Sequence, residues 1–339
     1  WGFEIQLTDT ATETADPATV QITLDDAALT ATATKANGVT RISGQHPALL
    51  QAGTIHEIGL TLQVSGETQA RTFVFEVPDY TVLPLAGRLQ SGNPNERGFV
   101  VYITSITSAQ SDSGSPSVHS NIAERAEMQL AGELMSEITG QAYFNELNWI
   151  GAPAWKGPEN IEPGVINWFE FAPDNTPINF PEDGPIPGLG GLPGQGIVSE
   201  IMTYLELPAG NHKLGIYTEG GHKITAGFDP EGPVISVFDN AEAERVPTYF
   251  ARTQFFDVVA PVSALYPIRI LWFQNRASQE PGILLEFFSV EDRALHLVND
   301  SSDPLSLRAF RSGTPPDPNA EPPTLGISKS STGLTLNWT

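Results

Sequence analysis

The first 80 residues alternate between apolar and polar positions with a period of two. Phe3, Ile5 and Leu7 share one face of a predicted strand, and several similar runs follow. Asn37-Gly38 separates two of these runs, and both residue types tolerate the positive φ of a tight hairpin. Five or more short strands at this spacing predict a small antiparallel β-sandwich over residues 1–82.

A second, longer pattern begins near residue 98. Most of its apolar runs are strand-like, and residues 266–273 are apolar on both faces, as in a strand inside a sandwich. Residues 121–140 instead carry apolar positions one helical turn apart, with Asn121 as a possible N-cap and Gly140 as a possible end. We predict a second β-sandwich over residues 98–312 with one inserted helix. The fold class is therefore all-β, with two tandem antiparallel sandwiches.

Two segments have the composition that is typical of linkers between domains. Residues 83–97 are rich in proline, glycine and asparagine, which predicts a linker. Residues 313–339 begin as a proline-rich linker and end in strand-like alternation, with Leu334, Leu336 and Trp338 on one face. We interpret the latter as the first strands of a truncated or strand-exchanged module.

An isolated hairpin at residues 313–339 would be marginal in water, so we expect a sheet edge to accept it. The first sandwich of a neighbouring chain is one acceptor and would give a head-to-tail homopolymer. The alternative is docking onto the second sandwich of the same chain.

Charge and composition narrow the partners. The formal net charge is -23, from 40 acidic and 17 basic side chains, which disfavours binding to nucleic acid or anionic membranes. No apolar run is long enough to span a membrane, so we expect no membrane insertion. The chain has no cysteine and begins without methionine or a signal peptide. We expect a mature piece of a secreted or cell-surface protein.

Two parts of the chain resemble known families. Residues 1–82 resemble, by pattern, the immunoglobulin-like modules of bacterial surface proteins. "YLELPAGNHKLGIYTEGGHKITAG" and "YPIRILWFQNRASQEPGILLEFFSV" resemble the core strands of the protective-antigen-type β-sandwich. The second resemblance extends over roughly residues 98–311, and such modules occur in large multidomain secreted proteins. It implies a carbohydrate-binding or adhesive role in many members.

The same resemblance implies where a ligand would bind. Sugar-binding members hold calcium with two adjacent aspartates, and the matching loop here offers Glu219 and His222 around two glycines. The second ligand loop offers Asn275 and Gln279. Calcium needs about six to eight oxygen ligands, and imidazole suits it poorly. We therefore expect no cofactor and a structural glycine turn, with calcium left as the alternative.

Other candidate residues have an ordinary structural interpretation beside a functional one. Trp149 and Trp155 can stack on sugars or cover the sandwich edge. Asp229, Glu231 and Asp239 can flank one loop and hold a cation, but aspartate beside glycine and proline is also ordinary turn chemistry.

No catalytic motif is present: the sequence has no H-E-x-x-H metal motif, no G-x-S-x-G elbow and no phosphate loop. We therefore expect no enzyme. The function that we predict is a non-catalytic structural or adhesive segment of a secreted or cell-surface bacterial protein, as in an extracellular filament or giant adhesin. The alternative is a carbohydrate-binding module for surface glycans. The predicted partners are glycans or other chains of the same protein.

Overall fold

The protein is all-β apart from one helix in the part of the chain that the structure, a computed structural model, describes. That part comprises residues 2–46, 48–106, 121–136, 138–145, 147, 159–170, 179–181, 184–188, 196–218, 220–239, 252–274, 283–316, 325–330 and 333–338. The elements in chain order are β1 (Gly2–Thr8), β2 (Ala15–Leu24), β3 (Ala27–Leu29), β4 (Ala31–Ala36), β5 (Val39–Gln45), β6 (Ile55–Val64), β7 (Glu67–Glu76), β8 (Tyr80–Val82), β9 (Ser91–Gly92), β10 (Phe99–Ser105), α1 (Ala123–Ala131), β11 (Asn160–Glu162), β12 (Asn167–Glu170), β13 (Ile197–Leu207), β14 (Gly210–Thr218), β15 (Gly221–Ala226), β16 (Val234–Phe238), β17 (Arg252–Ala260), β18 (Ala264–Gln274), β19 (Ile283–Glu291), β20 (Ala294–Leu297), β21 (Ala309–Phe310), β22 (Gly313–Thr314), β23 (Leu325–Ser330) and β24 (Gly333–Trp338).

The first sandwich packs a three-stranded sheet, in the order β1-β5-β4, against a four-stranded sheet, in the order β3-β2-β6-β7. Its core contains Ile22, Ile42 and Leu60. Asn37 and Gly38 connect β4 to β5 with φ values of 52° and 74°. This confirms the predicted hairpin, since a two-residue turn of this type requires positive φ at both positions.

The second sandwich is larger and has a separate core. One sheet has the order β11-β10-β13-β18-β15-β16, with β21 beside β13, and the other has the order β12-β19-β14-β17-β8, with β20 beside β19. Trp168 and Trp272 lie between the sheets, with ring centroids 6.4 Å apart in an edge-to-face arrangement. Both tryptophans belong to the core, because they are 1% and 0% exposed.

Strand β18 is buried on both faces, as its sequence predicted. Ile270 and Trp272 point into the core between the sheets, and Leu271 and Phe273 point outward under α1. Helix α1 contributes Leu130 to that outer cluster. An ionic contact adds to the docking: the guanidinium of Arg269 in β18 donates two hydrogen bonds, of 2.8 and 2.7 Å, to the carboxylate of Glu127 in α1.

Helix α1 is shorter than the predicted span of residues 121–140. Gly132 adopts a left-handed conformation with φ 73° and ends the helix, because its backbone N–H turns back to the preceding carbonyls. The predicted cap at Asn121 is also wrong: Ile122 is the N-cap and makes no side-chain capping bond. Among the described residues, no helix has the length and apolar character needed to cross a lipid bilayer.

The segment expected to be a linker lies on the second sandwich. Strand β8 pairs in parallel with β17, and Leu83, which follows it, is 1% exposed in the core of the second sandwich. Leu89 exchanges backbone hydrogen bonds with Leu265 at 2.9 Å. The expected boundary at residue 82 thus cuts through a segment that completes the second sandwich.

The C-terminal residues of the second sandwich pair with the same segment, residues 83–98. Strand β9 pairs with β22, and the N–H of Gly98 donates to the carbonyl of Ala309 at 2.9 Å. Residues 313 and 314 therefore also belong to the second sandwich and not to the predicted terminal linker. Proline and glycine content misled the prediction, because these pairings depend on partners far away in sequence.

The terminal strands β23 and β24 form a hairpin in which Leu325 lies opposite Trp338. In the described part of the chain this two-stranded sheet pairs with no other strand. The predicted assembly residues Leu334, Leu336 and Trp338 all lie in β24. Their role in a head-to-tail homopolymer stays a prediction.

Candidate functional site

Most of the predicted ligand residues belong to connections at one end of the second sandwich, which we call the loop end. It is defined by the last residues of five strands, Ser105, Glu170, Thr218, Phe238 and Gln274. The strand registers bring these residues together: for example, Ile197 at the start of β13 lies opposite both Ser105 and Gln274. The same end thus collects the β14–β15 and β18–β19 connections, which carry the two predicted ligand loops.

Several predicted residues lie outside the described part of the chain. They are Glu219, Asn275, Gln279, Trp149 and Trp155. Glu219 connects β14 to β15, and both Asn275 and Gln279 connect β18 to β19. Their roles stay predictions.

The two glycines beside Glu219 have a packing role. A Cβ atom on Gly220 would lie 2.2 Å from the carbonyl oxygen of Phe273, and one on Gly221 would lie 2.2 Å from the Phe273 ring. The N–H of Gly220 also donates to Thr218 Oγ1 at 3.0 Å. The close approach of β18 therefore requires glycine here, as a structural turn between two strands does.

His222 lies inside the sandwich and does not face the solvent. Its side chain is 0% exposed, and Nε2 is 3.0 Å from Ser236 Oγ. Burial lowers the pKa of His222 to about 4, so the ring is neutral at neutral pH. In this position the imidazole supports the β15–β16 pairing and is not available to a ligand at the surface.

The proposed acidic cation cluster is separated by the fold. Asp229 accepts a hydrogen bond from the N–H of Glu231 at 2.9 Å, as in an Asx turn. Asp239 accepts one from the N–H of Ala123 at 2.8 Å and so satisfies a free donor at the start of α1. Strand β16 lies between the two aspartates, which places them roughly 16 Å apart along the strand.

The three candidates therefore do not flank one loop. In the described part of the chain, no group of three metal-ligating side chains is present. Turn formation and helix capping account for the two aspartates.

Sequence reasoning missed an exposed aromatic surface on the β12-β19-β14-β17-β8 sheet. We call it the Phe255 face, and its members are Asn211, Lys213, Gly215, Phe255, Asp257 and Phe288. The Phe255 side chain is 51% exposed, and its ring lies edge-to-face on the buried Phe288 ring with centroids 6.0 Å apart. The sequence feature that could have revealed this surface is the pair Phe255-Phe256, because neighbouring residues of a strand point to opposite faces of the sheet.

Polar groups surround the exposed ring. Lys213 Nζ lies 5.9 Å from the Phe255 ring centroid and 3.0 Å from Asp257 Oδ2. The side-chain amide of Asn211 donates to the other oxygen of Asp257 at 3.3 Å. Asp257 is 6% exposed, so this carboxylate is held in place at the base of the surface.

The comparisons with known proteins do not assign a family. No family model and no curated protein matches the chain. Among solved structures, the epithelial adhesin 9 A domain from Candida glabrata in complex with Galb1-3GlcNAc is 11% identical, covers 68% of this chain and 96% of its own, and has a TM-score of 0.41. An anti-sigma factor domain-containing protein is 13% identical, covers 88% of this chain and 82% of its own, and has a TM-score of 0.32.

A third similar structure comes from a study of promiscuous carbohydrate-binding modules of the β-sandwich superfamily. It is 8% identical, covers 87% of this chain and 92% of its own, and has a TM-score of 0.21. At these scores the likenesses carry no argument about the ligand of this chain.

The buried histidine predicts a pH dependence. The folded state holds the pKa of His222 at about 4, below the ordinary value of 6.5, so the unfolded chain takes up the proton first as the pH falls. The free energy of unfolding should therefore decrease by about 3 kcal/mol from this group between pH 6.5 and pH 4. In His222→Gln this contribution should be missing from denaturant unfolding curves recorded across that range.

His46→Gln is the matched control, because it removes a histidine of the first sandwich. If the His222→Gln and wild-type curves depended on pH in the same way, the neutral buried ring would be contradicted.

Proposed function

We propose that the chain is a non-catalytic structural and adhesive segment of a secreted or cell-surface protein. Its two parts would be an immunoglobulin-like sandwich and a protective-antigen-like sandwich. The observation that supports this most is the junction, in which β8 and Leu83 are built into the second sandwich. A spacer or adhesive segment needs such a fixed connection, because it must hold its binding end in a defined direction.

Side-chain contacts also connect the first sandwich to this junction. The Tyr80 hydroxyl, in β8, donates to the carbonyl of Leu50 in the first sandwich at 2.9 Å. Leu50 and Val77 line a small cavity of about 120 Å³ together with Asn211 and Val259 of the second sandwich. A hydrogen bond and a shared apolar cavity lining restrict motion more than a flexible linker does.

A distance measurement tests the fixed junction. The chain has no cysteine, so spin labels can be placed at Thr34→Cys in the first sandwich and Val237→Cys in the second. Val237 is 55% exposed, and Thr34 is also exposed. We expect one narrow distance distribution in pulsed electron resonance.

The control is the same labelled pair with a flexible glycine-serine insertion after Asp79, which should broaden the distribution. An equally broad distribution without the insertion would show that the two sandwiches move independently, and the spacer function would lose its support.

Glycan binding at the loop end is a second candidate function. Asn211, beside the first sandwich, and Thr218, at the loop end, lie seven positions apart in β14, or roughly 23 Å. The loop end therefore points away from the first sandwich, where a partner has access. The resemblance to carbohydrate-binding members favours a glycan as that partner, with Trp149 and Trp155 as stacking residues.

A glycan array recorded with and without calcium tests this candidate. We expect binding by the wild-type protein, without a requirement for calcium, and weaker binding by Trp149→Ala or Trp155→Ala. Leu305→Ala removes a side chain that is 44% exposed at a distant position and is the control. If binding needs calcium and disappears in Glu219→Ala, the expectation that the metal site is absent is wrong. If the protein binds no glycan on the array, only the structural function remains.

A further inference from the structure

We propose that the Phe255 face is a separate saccharide-binding surface, in which a sugar ring stacks on Phe255 and its hydroxyl groups bind Lys213, which Asp257 holds in place. The proposal rests on the adhesive function proposed above and adds a second site, distinct from the loop end. Its ligand class is a neutral glycan.

The exposure of Phe255 sets it apart from the other aromatic side chains on this side of the sheet. Tyr217 and Phe288 are 8% and 0% exposed, whereas Phe255 is 51% exposed. A planar apolar ring at the surface, backed by a buried ring, offers the surface on which the C–H face of a pyranose packs. Phe288 supplies that backing, because the two rings meet edge-to-face at 75°.

Gly215 makes this arrangement possible. It lies opposite Phe255 in the β14–β17 pair and opposite Phe288 in the β14–β19 pair. A Cβ atom at this position would lie 2.4 Å from the Phe288 ring and 3.2 Å from the Phe255 ring. The missing side chain thus lets both rings lean over β14, with the outer side of Phe255 left to the solvent.

The polar groups beside the ring match the chemistry of sugar hydroxyls. A carboxylate offers about four acceptor positions and an ammonium group three donors. Asp257 uses part of its capacity on Lys213 and Asn211, and Lys213 uses one donor on Asp257. The Lys213 side chain is 43% exposed and keeps two donors for neighbouring hydroxyls, whereas the buried Asp257 holds Lys213 and Asn211 in place.

The local charge favours a neutral ligand. Lys213 and Asp257 carry opposite charges 3.0 Å apart and compensate each other. An anionic ligand would also have to approach a chain with a formal net charge of -23. A neutral saccharide avoids this repulsion.

A peptide strand fits this surface less well. Added strands bind to a free sheet edge through backbone hydrogen bonds. Strand β17 pairs with β14 along its whole length, and β8 covers its other edge at Asp257–Val259. The Phe255 ring stands on the face of the sheet and not along an edge, so a ligand that stacks on the ring binds through side chains, as a sugar ring does.

The first sandwich borders the same surface. Asn211 and Asp257 line the small cavity between the sandwiches together with Leu49, whose side chain is 46% exposed. The fixed junction thus places one wall beside the Phe255 face. A ligand there is bounded on one side by the first sandwich.

The test uses the full chain and saturation-transfer NMR with the methyl glycosides of galactose, glucose, mannose and N-acetylglucosamine, together with the glycan array. We expect saccharide binding by the wild-type protein, about tenfold weaker binding by Phe255→Ala, and retained binding by Phe255→Trp, which keeps a stacking ring. Phe73→Ala, at a phenylalanine of β7 in the first sandwich that is 44% exposed, is the matched control and should bind as the wild type does.

Each other outcome overturns the proposal. If Phe255→Ala binds as the wild type does while Trp149→Ala or Trp155→Ala loses binding, glycans bind at the loop end only, and the proposed function stands without this second site. If no saccharide binds to the wild type, glycan binding fails at both places. If light scattering shows that Phe255→Ala changes the molar mass of the protein instead, the face is a contact between copies of the chain.

Discussion

The parallel pairing of β8 with β17, followed by the burial of Leu83, determines how the two sandwiches are joined. Without it, the second sandwich would lose a strand from one sheet and an apolar side chain from its core. The first sandwich would then be joined to the second only by a flexible polar linker. With it, the chain leaves the first sandwich directly into the sheet that also carries Phe255. The mechanical and the binding properties proposed for the protein both depend on this junction.

The interior of the second sandwich accounts for the described residues beside the predicted ligand loop. Trp272 Nε1 donates to Thr218 Oγ1 at 2.8 Å, and this joins the two sheets at the loop end. Gly220 and Gly221 let the chain pass over Phe273 at van der Waals distance, and His222 is buried beside Ser236. Each polar group described there serves the packing. The groups that we propose for saccharide binding lie on the outer face, where Phe255 is exposed and Asp257 holds Lys213 beside it.

The sequence predicted the strands well because alternation of apolar and polar residues is a local signal. The two-faced burial of β18 and the positive φ at Asn37 followed from local residues alone. The end of α1 was misplaced, since apolar spacing continued beyond Gly132 while the backbone turned there. The linker was misassigned because hydrogen bonds such as that between Leu89 and Leu265 depend on residues distant in sequence.

The candidate site could not be predicted for the same reason, because it depends on contacts between residues that are distant in sequence. Alternation in β17 shows that Phe255 and Phe256 lie on opposite faces, but not which face another layer covers. Only the sheet order reveals that nothing in the described part of the chain buries Phe255 fully, whereas Phe256 is 8% exposed. The separation of Asp229 from Asp239 likewise needed the position of β16.

The most direct test of the account compares the unfolding of two fragments, residues 80–316 and residues 98–312. The longer fragment contains β8, Leu83, β9 and β22, and the shorter one lacks all four. Loss of one buried leucine side chain alone costs about 2–5 kcal/mol, so the account predicts that 80–316 unfolds cooperatively and that 98–312 is at least that much less stable or does not fold. Equal stability of the two fragments in denaturant would show that the segment only rests on the second sandwich, and it would contradict the fixed junction.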